Sequence, residues 1–221
     1  MSLGIIRVLG IILFVYLTWR NLRGSYEEGK VVTYSWVALL SFFIGGRITY
    51  GLVNFGVWND SWLSWFSVWD KQGMDYVGGF FALMLVNFIF SKVNGWKFIP
   101  FCEDSLSSSL WFLVILMADE FIRTKFDLRV GVYLLFLVLI MLFMNLVKKK
   151  YRSFVWYRSG KKGFAFLVTG FLSFLILGFL GFYFKNNLVY SILYWVVGLI
   201  SLVGLCILGE VFNFLMVNKR R

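Results

Sequence analysis

Seven long apolar runs, separated by short segments that hold most of the charge, constrain this chain more than any other feature. They cover residues 3–19, 31–55, 73–90, 106–122, 130–147, 163–184 and 188–217. A hydrocarbon core of ~30 Å takes about 20 helical residues to cross. The runs are too long for barrel strands, and lipid satisfies no backbone groups, so helices are expected. The fourth run is the most polar, with Asp119 and Glu120 near its end, and the last is long enough to tilt. Composition agrees, with 60% apolar and 15% charged residues. A water-facing fold of this size has no interior large enough for that much apolar surface. The reading is an all-α, polytopic integral membrane protein of about seven transmembrane helices, forming a single membrane domain over 1–221. The first run lacks a small-residue cleavage site and is expected to stay as an anchor rather than act as a cleaved signal peptide.

Orientation follows from the basic residues. With the N-terminus outside, the inner loops hold 15 of the 22 Lys and Arg and the outer loops five, while Arg7 and Arg47 lie inside spans. That bias predicts an N-out, C-in protein. The net charge of +11 is thereby read as an inner-surface bias and not as a nucleic-acid footprint. The richest basic stretch, 148–162, interleaves Phe154, Trp156 and Tyr157 with its cations. It reads either as an interfacial segment on the inner leaflet or as a topology anchor. The chain has no histidine, which excludes histidine-based acid–base, metal or phosphoryl-transfer chemistry. Cys102 and Cys206 stand in no metal-binding spacing. No metal and no cofactor are expected.

Ionisable groups at membrane depth are functional candidates. Arg47 is foremost, in Ile44-Gly45-Gly46-Arg47-Ile48-Thr49-Tyr50. The two glycines allow another backbone or a lipid headgroup to come close. The guanidinium suits a phosphate or a carboxylate. Headgroup binding and structural pairing with Asp75 or Glu120 are both open. Asp75 marks the start of the third span. Asp119 and Glu120 read first as a solvated helix end, and with Arg47, Asp75, Arg123 and Lys125 they are also candidates for one outer charged cluster. Arg7 is expected to be structural. Glu210 lies in the last run, towards the inner side. Gly170, Gly178 and Gly181 in the sixth run read as helix-packing positions. A transporter reading has little support, because midplane acids are few and no inverted repeat is visible.

The order of these features resembles the prolipoprotein diacylglyceryl transferase family. The closest passage is Phe42–Tyr50 followed by Val53-Asn54-Phe55, similar to the family's G-[GA]-R-x-x-Y pattern. The next is Val68–Gly79, similar to W-x-G-G-M-S-F-H-G-G. Asp104 falls where the family has an Asp before its next helix, Tyr133 near a family tyrosine, and Lys161–Phe164 where a basic loop and a glycine open the penultimate helix. The resemblance is specific over 42–82 and positional elsewhere. It implies seven spans in a bacterial-type inner (plasma) membrane. It further implies transfer of diacylglyceryl from phosphatidylglycerol to a lipobox cysteine of a lipoprotein precursor.

By the same resemblance, Arg47, Tyr50, Gly45, Gly46, Gly78, Gly79 and Arg123 are the substrate-binding candidates, and Asp75 is the catalytic one. The departures are specific. Val77 stands at the family's histidine. Leu116–Phe121 lacks the family's Arg and Asn pair. The outer head is reduced to about Arg123–Arg129. Leu177 and Gly181 lie where a second functional Arg is expected, and Val8-Leu9 where a first-span tyrosine is. A phosphate leaving group needs cationic stabilisation, and a thiol must lose its proton to attack. Two functions follow. One is a divergent transferase that binds phosphatidylglycerol through Arg47. The alternative is a catalytically inactive relative that binds lipid or a partner.

Overall fold

The computed structural model describes residues 3–53, 75–151, 157, 161–184 and 188–209. Several positions singled out above lie outside the described residues. They are Asn54, Phe55, the segment 68–74, Arg152, Phe154, Trp156, Arg158, Lys185, Glu210 and the terminal Lys219–Arg221.

Among the described residues there are seven α-helices and no strand: α1 Leu3–Leu22, α2 Glu28–Val53, α3 Tyr76–Val93, α4 Phe98–Arg123, α5 Leu128–Lys150, α6 Phe164–Tyr183 and α7 Leu188–Leu208. All seven are long and apolar enough to cross a bilayer. The all-helical, multi-pass reading of the sequence therefore holds. The apolar runs fix which segments enter the membrane. The helices run past several of them, because backbone hydrogen bonding continues into polar flanks. Among the helix starts the largest difference is at α4, which begins at Phe98 rather than at 106. Pro100 is compatible with this, since it sits in the first turn, where its missing N–H has no intrahelical acceptor. Asp104 consequently lies within α4, not ahead of it.

The chain divides into two compact units, 1–108 and 109–221, with the boundary inside α4. In the first unit α1 packs on α2, and α2 on α3. One end is tied by aromatic rings. Tyr26, in the α1–α2 turn, lies 4.6 Å from Trp96 and 5.3 Å from Phe101, and Tyr34 lies 4.8 Å from Phe101. The α3–α4 turn holds Trp96 in place through a tight helix stop. Trp96 N–H donates to Ser91 O at 2.8 Å and Gly95 N–H to Lys92 O at 3.3 Å, with Gly95 at φ +68. This is the Schellman arrangement, whose left-handed residue favours glycine.

In the second unit α5 packs on α6, and α6 on α7. The α6–α7 seam runs over glycines. A side chain at Gly170 would meet Ser201, at Gly178 Trp195, and at Gly181 Ser191. Two helices in lipid gain little from apolar burial and associate by close packing, which small residues permit. The packing role expected for these three glycines is the one they have.

Candidate functional site

The best-defined candidate region lies where α2 crosses α3. Each helix presents small residues four apart, Gly45 and Thr49 on α2 and Gly78 and Ala82 on α3. A Cβ on Gly45 would stand 2.9 Å from Gly78 O and would overlap Ala82. One on Gly78 would stand 3.0 Å from Gly45 O and would overlap Thr49. Gly79 faces Phe42, whose carbonyl oxygen would be 2.8 Å from an added Cβ. Close approach of a second backbone, one of the two roles open for Gly45, is therefore realised there, and Gly78 and Gly79, named as substrate-binding candidates, face the backbone of α2. Gly46 is buried, and its carbonyl accepts a hydrogen bond from Asp75 N–H at 3.1 Å.

That bond brings the start of α3 beside the Gly45-Gly46-Arg47 turn. Asp75 is the N-cap of α3, and its Oδ1 accepts from Val77 N–H at 2.8 Å and Gly78 N–H at 3.4 Å. A carboxylate there satisfies orphan donors at the positive end of the helix. Arg47 is only 7% exposed, six residues before the described end of α2 at Val53. At 1.5 Å per residue, this is roughly 9 Å along the axis from Val53. Tyr50 follows on the same face of the helix, half-buried. The arrangement thus holds a buried guanidinium on α2 and a residue, Asp75, bonded to the neighbouring turn through its backbone amide.

The acidic pair at the end of α4 differs from expectation. Asp119 is 1% exposed, not solvated. Arg123 Nε lies 3.1 Å from Asp119 Oδ2, and Arg123 also pairs with Glu120. Spacings of three and four residues put all three on one helix face. Much of the Arg123 charge is therefore answered from its own helix, and a bound phosphate would have to compete with two carboxylates. Arg47 and Asp75 fall in the first unit, and Asp119, Glu120, Arg123 and Lys125 in the second. Arg7, on α1, is half-buried. Tyr133, on α5, has its ring 6.0 Å from Phe184.

A second polar group lies in the first unit, and of its members the sequence points only to Asp104, by position, and Cys102. Tyr34 OH donates to Asn87 Oδ1 at 2.5 Å, and Asn87 Nδ2 approaches Cys102 Sγ at 3.7 Å. Beside it on α4, Glu103, Asp104, Ser105 and Ser108 are buried. Tyr26 OH donates to Asp104 Oδ2 at 3.4 Å. Burial first, and then the Asp104 carboxylate, push the Tyr26 phenol above its ordinary range. Asn87 was legible as the one amide in a run of apolar residues, but its partners come from other helices. Among the described residues, no group of three His, Cys, Asp or Glu side chains is placed to hold a metal ion.

No curated protein matches the chain. A family model does, over residues 2–123, and its description is prolipoprotein diacylglyceryl transferase. The match takes in α1 to α4, including both passages on which the sequence resemblance was specific. Tyr133 and Lys161–Phe164, where the resemblance was positional, lie beyond it.

Proposed function

This chain belongs to the prolipoprotein diacylglyceryl transferase family. From that premise we propose that it binds phosphatidylglycerol in a bacterial-type inner membrane, with Arg47 as the phosphate ligand, and that it does not carry the transfer through. The observation that carries this reading is the buried Arg47 at the α2–α3 crossing. An arginine at membrane depth is a functional candidate, and its planar fork of donors matches a phosphate. The lipid would enter from the outer side, given the N-out orientation that the basic residues favour.

Absence of turnover is supported by the state of the candidate groups themselves. Transfer forms an S–C bond from thiolate to the glyceryl carbon and breaks the C–O bond to phosphate, so glycerol phosphate leaves and the thiol proton must be taken up. Val77 can take no proton. The Asp75 carboxylate is engaged as a helix cap. Arg123, a candidate second cation, is already paired with Asp119 and Glu120. A second reading, a slow transferase acting on a lipobox cysteine, is favoured by the backbone bond from Asp75 N–H to Gly46 O, which ties Asp75 to the residue before Arg47.

The test is binding and turnover on the same purified protein. Phosphatidylglycerol should bind more weakly to Arg47→Ala by roughly tenfold to hundredfold, the worth of a hydrogen bond to a charged group. Arg47→Lys should recover part of the loss. A lipobox peptide should gain no diacylglyceryl group while an active family member modifies it. Equal lipid binding by Arg47→Ala rejects the binding role, and a modified peptide establishes the transferase instead.

A further inference from the structure

The α6–α7 seam, in the second unit, holds two hydrogen-bond donors that its own packing does not use. Ser191 is 1% exposed and Trp195 is half-buried. Ser191 Oγ and Trp195 Nε1 are both buried atoms, and neither has a hydrogen-bond partner among the described residues. Spaced four apart, they lie on one face of α7. Both are aimed at glycines of α6. Ser191 Oγ would stand 2.6 Å from a Cβ on Gly181, and Trp195 Nε1 occupies the place of a Cβ on Gly178. We propose that this pair hydrogen-bonds an ester carbonyl of a diacyl glycerolipid.

The acceptor has to come from outside the two helices. A helical serine ordinarily donates to the carbonyl one turn back. Ser201 does so on the same helix, to Val197 O at 3.0 Å, and Ser35 does so on α2, to Val31 O at 2.8 Å. The Ser191 hydroxyl is instead turned across the seam. An indole N–H has no such local acceptor and usually finds a partner when buried. The hydrocarbon core contains no water to supply one. The chemistry of the acceptor follows from charge. Neither α6 nor α7 contains a charged residue, so a phosphate would enter this seam without a cation. An uncharged carbonyl oxygen suits two neutral donors. The depth agrees. Ser191 and Trp195 lie three and seven residues from the start of α7 at Leu188, roughly 5 and 10 Å along the axis. Side chains on a helix lean towards its N-terminus, which brings the indole nearer that end. This is close to the boundary between headgroup and hydrocarbon, where ester linkages sit. Phe179 stands edge-on to Trp195 at 5.6 Å and is 59% exposed, and it is the ring that an arriving chain would displace.

The experiment uses the full-length purified protein, offered diester phosphatidylcholine in competition with its diether analogue, with bound lipids counted by native mass spectrometry. The two lipids share headgroup and chains, and only the first has carbonyl oxygens, so any contact to phosphate cancels. The parent should retain the diester by about threefold to tenfold, the worth of one or two neutral hydrogen bonds. Ser191→Ala and Trp195→Phe should each lower that preference, and the two together should abolish it. Ser191→Ala removes one atom and adds none, and so it provides the folded comparison if the double variant is poorly made. Donors that only pack the seam would change stability alike in both lipids and leave the preference as it was. Equal retention of the two lipids by the parent, or a preference unchanged in Ser191→Ala and in Trp195→Phe, overturns the proposal. Arg47→Ala should leave the preference intact, which separates this site from phosphatidylglycerol binding at α2–α3.

Discussion

At the scale of single residues, what matters is what each side chain, or its absence, lets a neighbour do. Gly78 lets Thr49 and the Gly45 carbonyl sit where a Cβ would be. Gly78→Ala should therefore lower stability in detergent by about 1–3 kcal/mol, the usual range for over-packing. Gly29 lies in the first turn of α2 with nothing within 4 Å of an added Cβ. Gly29→Ala should be neutral or stabilising by up to about 1 kcal/mol. Thermal unfolding of the two variants side by side checks both signs. The Tyr34–Asn87 pair is another such case, buried between α2 and α3. Tyr34→Phe should cost about 0.5–2 kcal/mol, the scale of side-chain hydrogen bonds between membrane helices. If the bond is the cause, Tyr34→Phe should cost much less once Asn87 is Leu. A double-mutant cycle measures that difference.

At the scale of the element, Asp75 shows how one residue can be read in two ways. As a sequence position it is the carboxylate within a turn of Val77 and the candidate base. As part of α3 it is the cap that satisfies Val77 N–H and Gly78 N–H. The two roles respond differently to substitution. Asn caps a helix as well as Asp, and Ala costs about 1 kcal/mol. If capping is the role, Asp75→Asn should leave stability and phosphatidylglycerol binding near the parent, and Asp75→Ala should lower stability. A base would show the reverse pattern in an active protein, with Asp75→Asn abolishing turnover at unchanged stability. Measuring melting and lipid binding for both variants separates the roles. The start of α4 makes a related point. Its early polar residues, Glu103, Asp104 and Ser105, are buried because α3, α4 and the α1–α2 turn converge there, while hydropathy places the same residues ahead of the fourth run.

At the scale of the whole molecule, the seven helices and the charge asymmetry together define an orientation. The α4–α5 turn should face outside and the α5–α6 end inside. A cysteine at Lys125 should react in intact cells with a membrane-impermeant maleimide, and one at Lys149 only after permeabilisation, in a background with Cys206 replaced. The opposite pattern would place the α2–α3 crossing with Arg47 at the inner leaflet and would change the side from which lipid arrives. Membership of the transferase family covers α1 to α4.

The sequence by itself determined the class, the number of helices, the side bias of the charges and the passage that carries the family resemblance. Each of these depends on quantities local to the chain, such as the length of an apolar run, the sign of a loop or the order of a short motif. Tertiary structure decided what those residues are used for. Gly45, Gly78 and Gly79 are filled by a neighbouring helix, Asp119 is buried in a pair with Arg123, and Tyr34 finds Asn87 fifty-three positions away. The reason is physical. Burial and pairing are relations between helices, and an apolar run specifies that a segment enters the membrane without specifying which neighbour its few polar groups will meet there.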